Sequence, residues 1–245
     1  MFIPFGFEYA YSRWPFATVG LIVANVAAAL FVGMPGPEHL WLQPEDFRLY
    51  QLVTSPFLHE SVFHLAWNLL FLWVFGRYVE DRLGPWRFAV LYGAAMVAGD
   101  LAQLAFGGSL PSLGASGAIA GLMGYVLVAS PWLEIRAAIL FDTYASRGYD
   151  LAVGWLLVPW ILFQILFAMM GSLSGVGAAA HLGGFALGAG AAALMRSRYA
   201  VGTGWYIDPR PPMGGKEAVN RLRRARAGSV RGKSAAPLGP PSTGG

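Results

Sequence analysis

The sequence predicts an all-α membrane protein: a bundle of six transmembrane helices whose fourth is short and partly submerged. Three observations predict it. Only 12% of the 245 residues are charged, 56% are hydrophobic, and the mean hydropathy is +0.51, whereas a soluble domain is about a quarter charged. Six apolar runs are long enough, or nearly so, for the roughly 20 residues that cross a bilayer. The Lys and Arg residues collect on one side of those runs.

Residues 1–15 form a short N-terminal segment with Arg13 just before the first run, Phe16–Met34. Small residues near the end of that run imitate a secretory signal. The run is long for a signal core and five more follow, so it reads as a retained helix. Segment 35–60 is rich in Trp, Phe, Leu and Tyr, which suits a loop lying partly in the membrane interface. The second run, Ser61–Tyr78, leads through a loop at 79–85 to the third, Trp86–Phe106.

Gly107-Gly108 and Pro111 prevent an early start to the fourth run, and Pro131 ends it, so only Ser116–Ser130 is helical. So short a helix leaves a hollow above Ser116, because non-helical backbone at that depth must line protein or water. Segment 131–150 precedes the fifth run, Leu151–Met170, and the sixth is Ala178–Met195. The tail, 196–245, is basic and then rich in Pro, Gly and Ser. That composition predicts disorder, and its charge suits anionic lipid; no nucleic-acid partner is expected. With the N-terminus inside, the four inner segments hold 14 of the 17 basic residues. Both termini are therefore expected in the cytoplasm. With no cysteine, disulfides, thiol nucleophiles and thiolate metal sites are excluded.

Polar groups at membrane depth are costly and tend to face a cavity or the bundle interior. The runs contain Asn25, His64, Asn68, Asp100, Gln103, Ser116, Gln164 and His181. Counted from the cytoplasmic ends, Ser116 and His181 lie about 22 Å up, and His64 and Asp100 about 20 Å. They share one level, and Asn68 sits one turn below His64 on the same helix face. Gly117 and Gly121 on the serine helix, with Gly124 below, and Gly184 and Gly188 on the histidine helix, form small surfaces that let backbones approach. Taken singly, such glycines often only pack a bundle, and a membrane serine often bonds its own backbone. Taken together they suggest chemistry. A serine becomes a nucleophile when a base within hydrogen-bond reach takes its proton. His181 is placed to be that base, and His64 and Asn68 to donate to an oxyanion.

These residues also carry a family resemblance. "GASG" (Gly114 to Gly117), "HLAWN" (His64 to Asn68), "VEDRLG" (Val79 to Gly84) and "AHLGGFALG" (Ala180 to Gly188) resemble, in order and helix placement, the motifs of the rhomboid intramembrane serine proteases. The resemblance covers about residues 45 to 195. It implies a six-helix rhomboid domain over 16–195 and a Ser–His dyad of Ser116 and His181 that needs no cofactor or metal. It also implies an oxyanion region of His64, Asn68 and the Ser116 backbone N–H, with structural roles for Glu80 and Arg82 in a loop. Its substrates would be single-pass membrane proteins in the bilayer, cut near the external end of the helix. A bacterial plasma membrane is the expected location, with the active site opening to the external face; oligomeric state is left open.

Two positions depart from the family pattern. Tyr50-Gln51 stands where many members have Trp-Arg, which bears on how the first loop is anchored. Ala120 stands one turn after the serine, where some members stack an aromatic ring on the histidine, so His181 must be held another way. Asp100 has two readings: it lines the hollow and supports His181 or the loop before Ser116, or it caps or hydrates the loop "FGGSL" beyond its helix and has no catalytic part. Three alternatives compete with the protease. "HESVFH" resembles a zinc motif, but His59 and His64 are five apart and not four. A small transporter would use the buried polar groups as a relay, yet no internal repeat is visible. An inactive rhomboid-like binding protein would share the fold.

Overall fold

The computed structural model describes residues 2–139, 149–170 and 177–199. The chain is mostly helical. Its main helices are α1 (Phe16–Phe31), α2 (Val62–Leu83), α3 (Pro85–Phe106), α4 (Ser116–Ala129), α5 (Val153–Met170) and α6 (Ala178–Tyr199). By length and composition α2, α3, α5 and α6 can cross a membrane; α1 and α4 are apolar but shorter. The expected basic tail lies, apart from the last turn of α6, outside the described residues.

The expectation of an all-α chain needs correction. Phe2–Phe7 (β1), Glu134–Ile139 (β2) and Tyr149–Ala152 (β3) form an antiparallel sheet in the order β1-β2-β3. β1 carries a register shift between Pro4 and Gly6, so its sequence lacks a clean alternation. Its partners come from the far side of four helices, and neither half looks like a hairpin alone. Phe7 fastens the sheet to the bundle, with its ring 5.4 Å from that of Phe75 and 5.2 Å from that of Tyr78.

A second correction concerns the segment 79–85. Glu80 and Arg82 are on helix, not loop, because α2 runs through a π turn at Leu72–Gly76 to Leu83. Gly84, at φ 80°, breaks it, and Pro85 starts α3 at the position where a missing N–H costs nothing. Glu80 then serves α1. That helix has no capping side chain of its own, and the buried Glu80 carboxylate accepts from Ala17 N (2.9 Å), Thr18 N (2.7 Å) and Thr18 Oγ1 (2.7 Å). It supplies partners to N–H groups that a helix start leaves orphaned and a negative charge where the dipole favours one. Asp81, which the motif did not single out, accepts from Ser12 N, Arg13 N, Ser12 Oγ and Tyr9 Oη at 2.8–3.0 Å. Burial first, and then Asp81, pushes the Tyr9 phenol above its ordinary pKa. Arg82 is partly exposed and makes no side-chain hydrogen bond among the described residues.

At the centre stands α4, buried along nearly its whole length and packed between α3 and α6. Glycine makes this possible. A Cβ on Gly184 would collide with the Gly117 carbonyl oxygen, one on Gly188 with that of Gly121, and one on Gly124 with that of Phe185. The two expected glycine surfaces therefore meet face to face, and the backbones touch without side chains between them.

Candidate active site

Ser116 is the first residue of α4. The chain reaches it along a strip tied to the first loop: Leu42 and Ser112 exchange two backbone hydrogen bonds of 3.0 Å, and Gly114 N donates to Ser55 O at 3.0 Å. Gly114 has φ +116°, a region side chains rarely adopt. A Cβ there would also lie 2.9 Å from His64 Cε1 and 3.0 Å from its Nε2. Glycine thus brings the serine turn against the His64 ring.

His181 lies in the first turn of α6. The glycine contact between α4 and α6 sets its Nε2 2.8 Å from Ser116 Oγ. The other ring nitrogen, Nδ1, is 2.8 Å from Gln164 Oε1 on α5, and the Trp160 ring rests against the imidazole at 5.9 Å between centroids. The sequence marks Gln164 only as a polar group at membrane depth. The signal that could have found it was Ala120: without an aromatic partner on α4, the histidine had to be held from another helix.

A cavity of about 220 Å³ opens over Ser116, lined among others by Glu60, His64, Asp100, Gly177 and His181. The expected hollow exists, and the residues placed at one depth share it. Asn68 is buried one turn below His64; its Nδ2 has no partner among the described residues, and neither does His64 Nδ1. Asn68 Nδ2 would lie 3.6 Å from a Cβ on Gly114. An unused donor, Asn68 Nδ2, therefore sits beside the serine turn, where an oxyanion would need one.

Asp100 is not bonded to His181. Its Oδ2 accepts from Ser55 Oγ at 3.4 Å, and Ser55 O in turn holds Gly114 N, so it supports the turn before Ser116. Among the described residues Asp100 makes no hydrogen bond to the loop after α3, where Gly107 N donates to Gln103 O. The first loop is anchored by the buried Gln51, whose Oε1 accepts from Gln43 N and Arg48 N at 3.3 and 3.1 Å while Nε2 donates to His39 O at 3.1 Å. The neighbouring Tyr50 hydroxyl donates to the same carbonyl at 3.0 Å. His59 and His64 meet edge to face at 5.1 Å. His59, in the loop before α2, is 1% exposed; burial, and then His64, hold its pKa down at about 4. Among the described residues no three His, Asp or Glu side chains converge as a metal site.

Comparisons with known proteins bear on the same segment. The family model for the Rhomboid domain matches residues 46–198. "Rhomboid protease GluP" of Bacillus subtilis is 33% identical over 147 residues, 60% of this chain and 26% of that protein. "Rhomboid protease GlpG" of Serratia proteamaculans is 30% identical over 182 residues, 70% and 59% of the two chains. "Inactive RHOMBOID-like protein 8" of Arabidopsis thaliana is 32% identical over 141 residues, 58% and 36%. The matched regions span 26% to 59% of these relatives' own lengths. A domain match over well more than half the chain, on a bundle whose glycine-packed helices bring Ser116 and His181 together, leads to one conclusion: this integral membrane protein belongs to the rhomboid family.

Proposed function

We propose that the chain is an intramembrane serine endopeptidase that cuts transmembrane segments of single-pass membrane proteins. The observation that carries this reading is the 2.8 Å contact between Ser116 Oγ and His181 Nε2, in a cavity of about 220 Å³. Ser116 Oγ–H donates to Nε2, and as Oγ attacks the scissile carbonyl the proton passes to the imidazole. The oxyanion is received by the Ser116 backbone N–H, Asn68 Nδ2 and His64. Collapse expels the amine, which takes the proton from Nε2, and leaves an acyl-enzyme. Water then attacks, with His181 again as base.

In this reading all six apolar helices span, with both termini in the cytoplasm of a bacterium and the cavity facing outward. α4 would extend only about 21 Å within a core of about 30 Å, so water reaches Ser116 without crossing lipid. A helix in lipid has no free carbonyl, so small or helix-breaking residues near the external end of the substrate should favour unwinding and cleavage.

The alternative is a rhomboid-like protein that binds without cutting, favoured by the similarity to a relative named inactive. One experiment separates them. Purified protein is treated with a fluorophosphonate and, in liposomes, given a fluorogenic transmembrane substrate. The protease reading expects labelling and cleavage that Ser116→Ala abolishes. Unlabelled wild-type protein, or full activity in Ser116→Ala, would sink it.

A further inference from the structure

We infer that Gln164 is a positioning residue that completes a Ser–His–Gln relay, holding His181 in the tautomer that can accept the Ser116 proton. This deepens the protease reading and rests on it.

Gln164 is 6% exposed on a helix otherwise apolar. Only Val153, Leu157 and Gln164 are buried on α5, so the amide is on the inward stripe, where an unpaired polar group is expensive. Its Oε1 is 2.8 Å from His181 Nδ1, and His181 Nε2 is 2.8 Å from Ser116 Oγ. An amide oxygen only accepts, so the proton belongs on Nδ1 and the lone pair on Nε2 faces the serine. Two hydrogen bonds through one ring thus set both its tautomer and its direction.

Trp160 lies one turn before Gln164 and rests on the ring at 41°. A single helix therefore holds an edge and the face of the imidazole. Ala120, one turn after Ser116, offers only a methyl. The acceptor is neutral, which distinguishes this relay from a carboxylate triad. Gln164 orients the base without a charge that would hold the imidazolium formed during the reaction.

The neutrality can be read in a pH profile. The titratable groups sharing the cavity with His181 are His64 from α2, Asp100 from α3 and Glu60 from the loop before α2. α5 carries none, and on α4 there is only Tyr125, nine residues from Ser116. Gln164→Glu would add the first charge from the α5 side. A carboxylate there favours the imidazolium, so activity that needs neutral His181 would be lost sooner as pH falls, from a higher pH than in wild type.

The test compares wild type, Gln164→Leu, Gln164→Glu and Ser116→Ala in liposomes by kcat, KM, fluorophosphonate labelling rate, melting temperature and pH profile. Trapping the wrong tautomer in a soluble triad costs about 10⁴ in rate; Gln164→Leu frees the ring without trapping it, so kcat and labelling should fall about ten- to a hundredfold with KM unmoved, while the melting temperature drops modestly because His181 Nδ1–H loses its acceptor. Gln164→Glu should recover most of that loss and move the acid limb upward by about one unit. Wild-type kcat in Gln164→Leu, or loss in Gln164→Glu equal to that in Gln164→Leu with an unmoved acid limb, would overturn the relay. Activity surviving in Ser116→Ala would instead overturn the dyad beneath it.

Discussion

Gly99→Ala should impair catalysis from a helix that carries neither Ser116 nor His181. Gly99 lies on α3, and a Cβ built on it sits 2.9 Å from Ala180 O and 3.4 Å from Gly117 Cα. Ala180 precedes His181, and Gly117 follows Ser116. The new methyl therefore presses on the backbone next to each reacting residue. It is 0.5 Å short of ordinary contact with Ala180 O, and backbone cannot rotate away. Retreat of α6 by that amount stretches the Ser116–His181 bond from 2.8 Å past the roughly 3.2 Å limit of a good hydrogen bond. A misplacement of 1 Å costs about 10² in rate, so half that should cost about tenfold, or about 1.4 kcal/mol of barrier. Gly93→Ala is the control: it is on the same helix, with nothing within 4 Å of its Cβ, and gains helix propensity of up to about 1 kcal/mol. The assay is kcat on a transmembrane substrate in liposomes, with labelling rate as a second readout. If Gly99→Ala matched Gly93→Ala in both, the idea that glycine contacts set the dyad distance would be wrong.

Other outcomes follow from single contacts. Asn68→Ala should lower kcat about 10²–10³-fold, less where donors share the oxyanion, with KM little changed; an unaltered kcat would remove Asn68 from the site. Glu80→Ala leaves three donors of α1 without their acceptor and should cost about 1–2 kcal/mol. It should appear as a lower melting temperature with kcat per folded molecule preserved, and a catalytic defect without destabilisation would contradict the capping role. His59 stays neutral in the folded chain down to about pH 4, whereas free histidine protonates near 6.5. In that window the unfolded chain binds the extra proton, so stability is full above pH 6.5 and falls as pH drops toward 4. His59→Phe should flatten that fall in a pH series of melting temperatures; an identical slope would show that other groups carry it.

By itself the sequence determined the membrane class, the helical runs and the family. Each depends on local composition or on spacing along one helix: low charge, apolar length, and GASG, HLAWN and AHLGGFALG on separate runs. It also singled out Ser116, His181, His64 and Asn68, because polar groups at equal depth in lipid are few. Tertiary structure alone decided how these residues meet. The sheet joins the N-terminal segment to the stretch between α4 and α5, four helices later in the chain, and its β1 strand has a register shift, so no local pattern announced it. Glu80 proved to cap a helix that begins 64 residues earlier. Asp100 bonds Ser55 and not His181, a choice its depth could not make. Gln164 reaches His181 only because α5 presents its inward stripe to α6. Depth and face follow from position along one helix, but the partner of a side chain depends on how helices are placed around it, and that placement is set by close packing across the whole bundle.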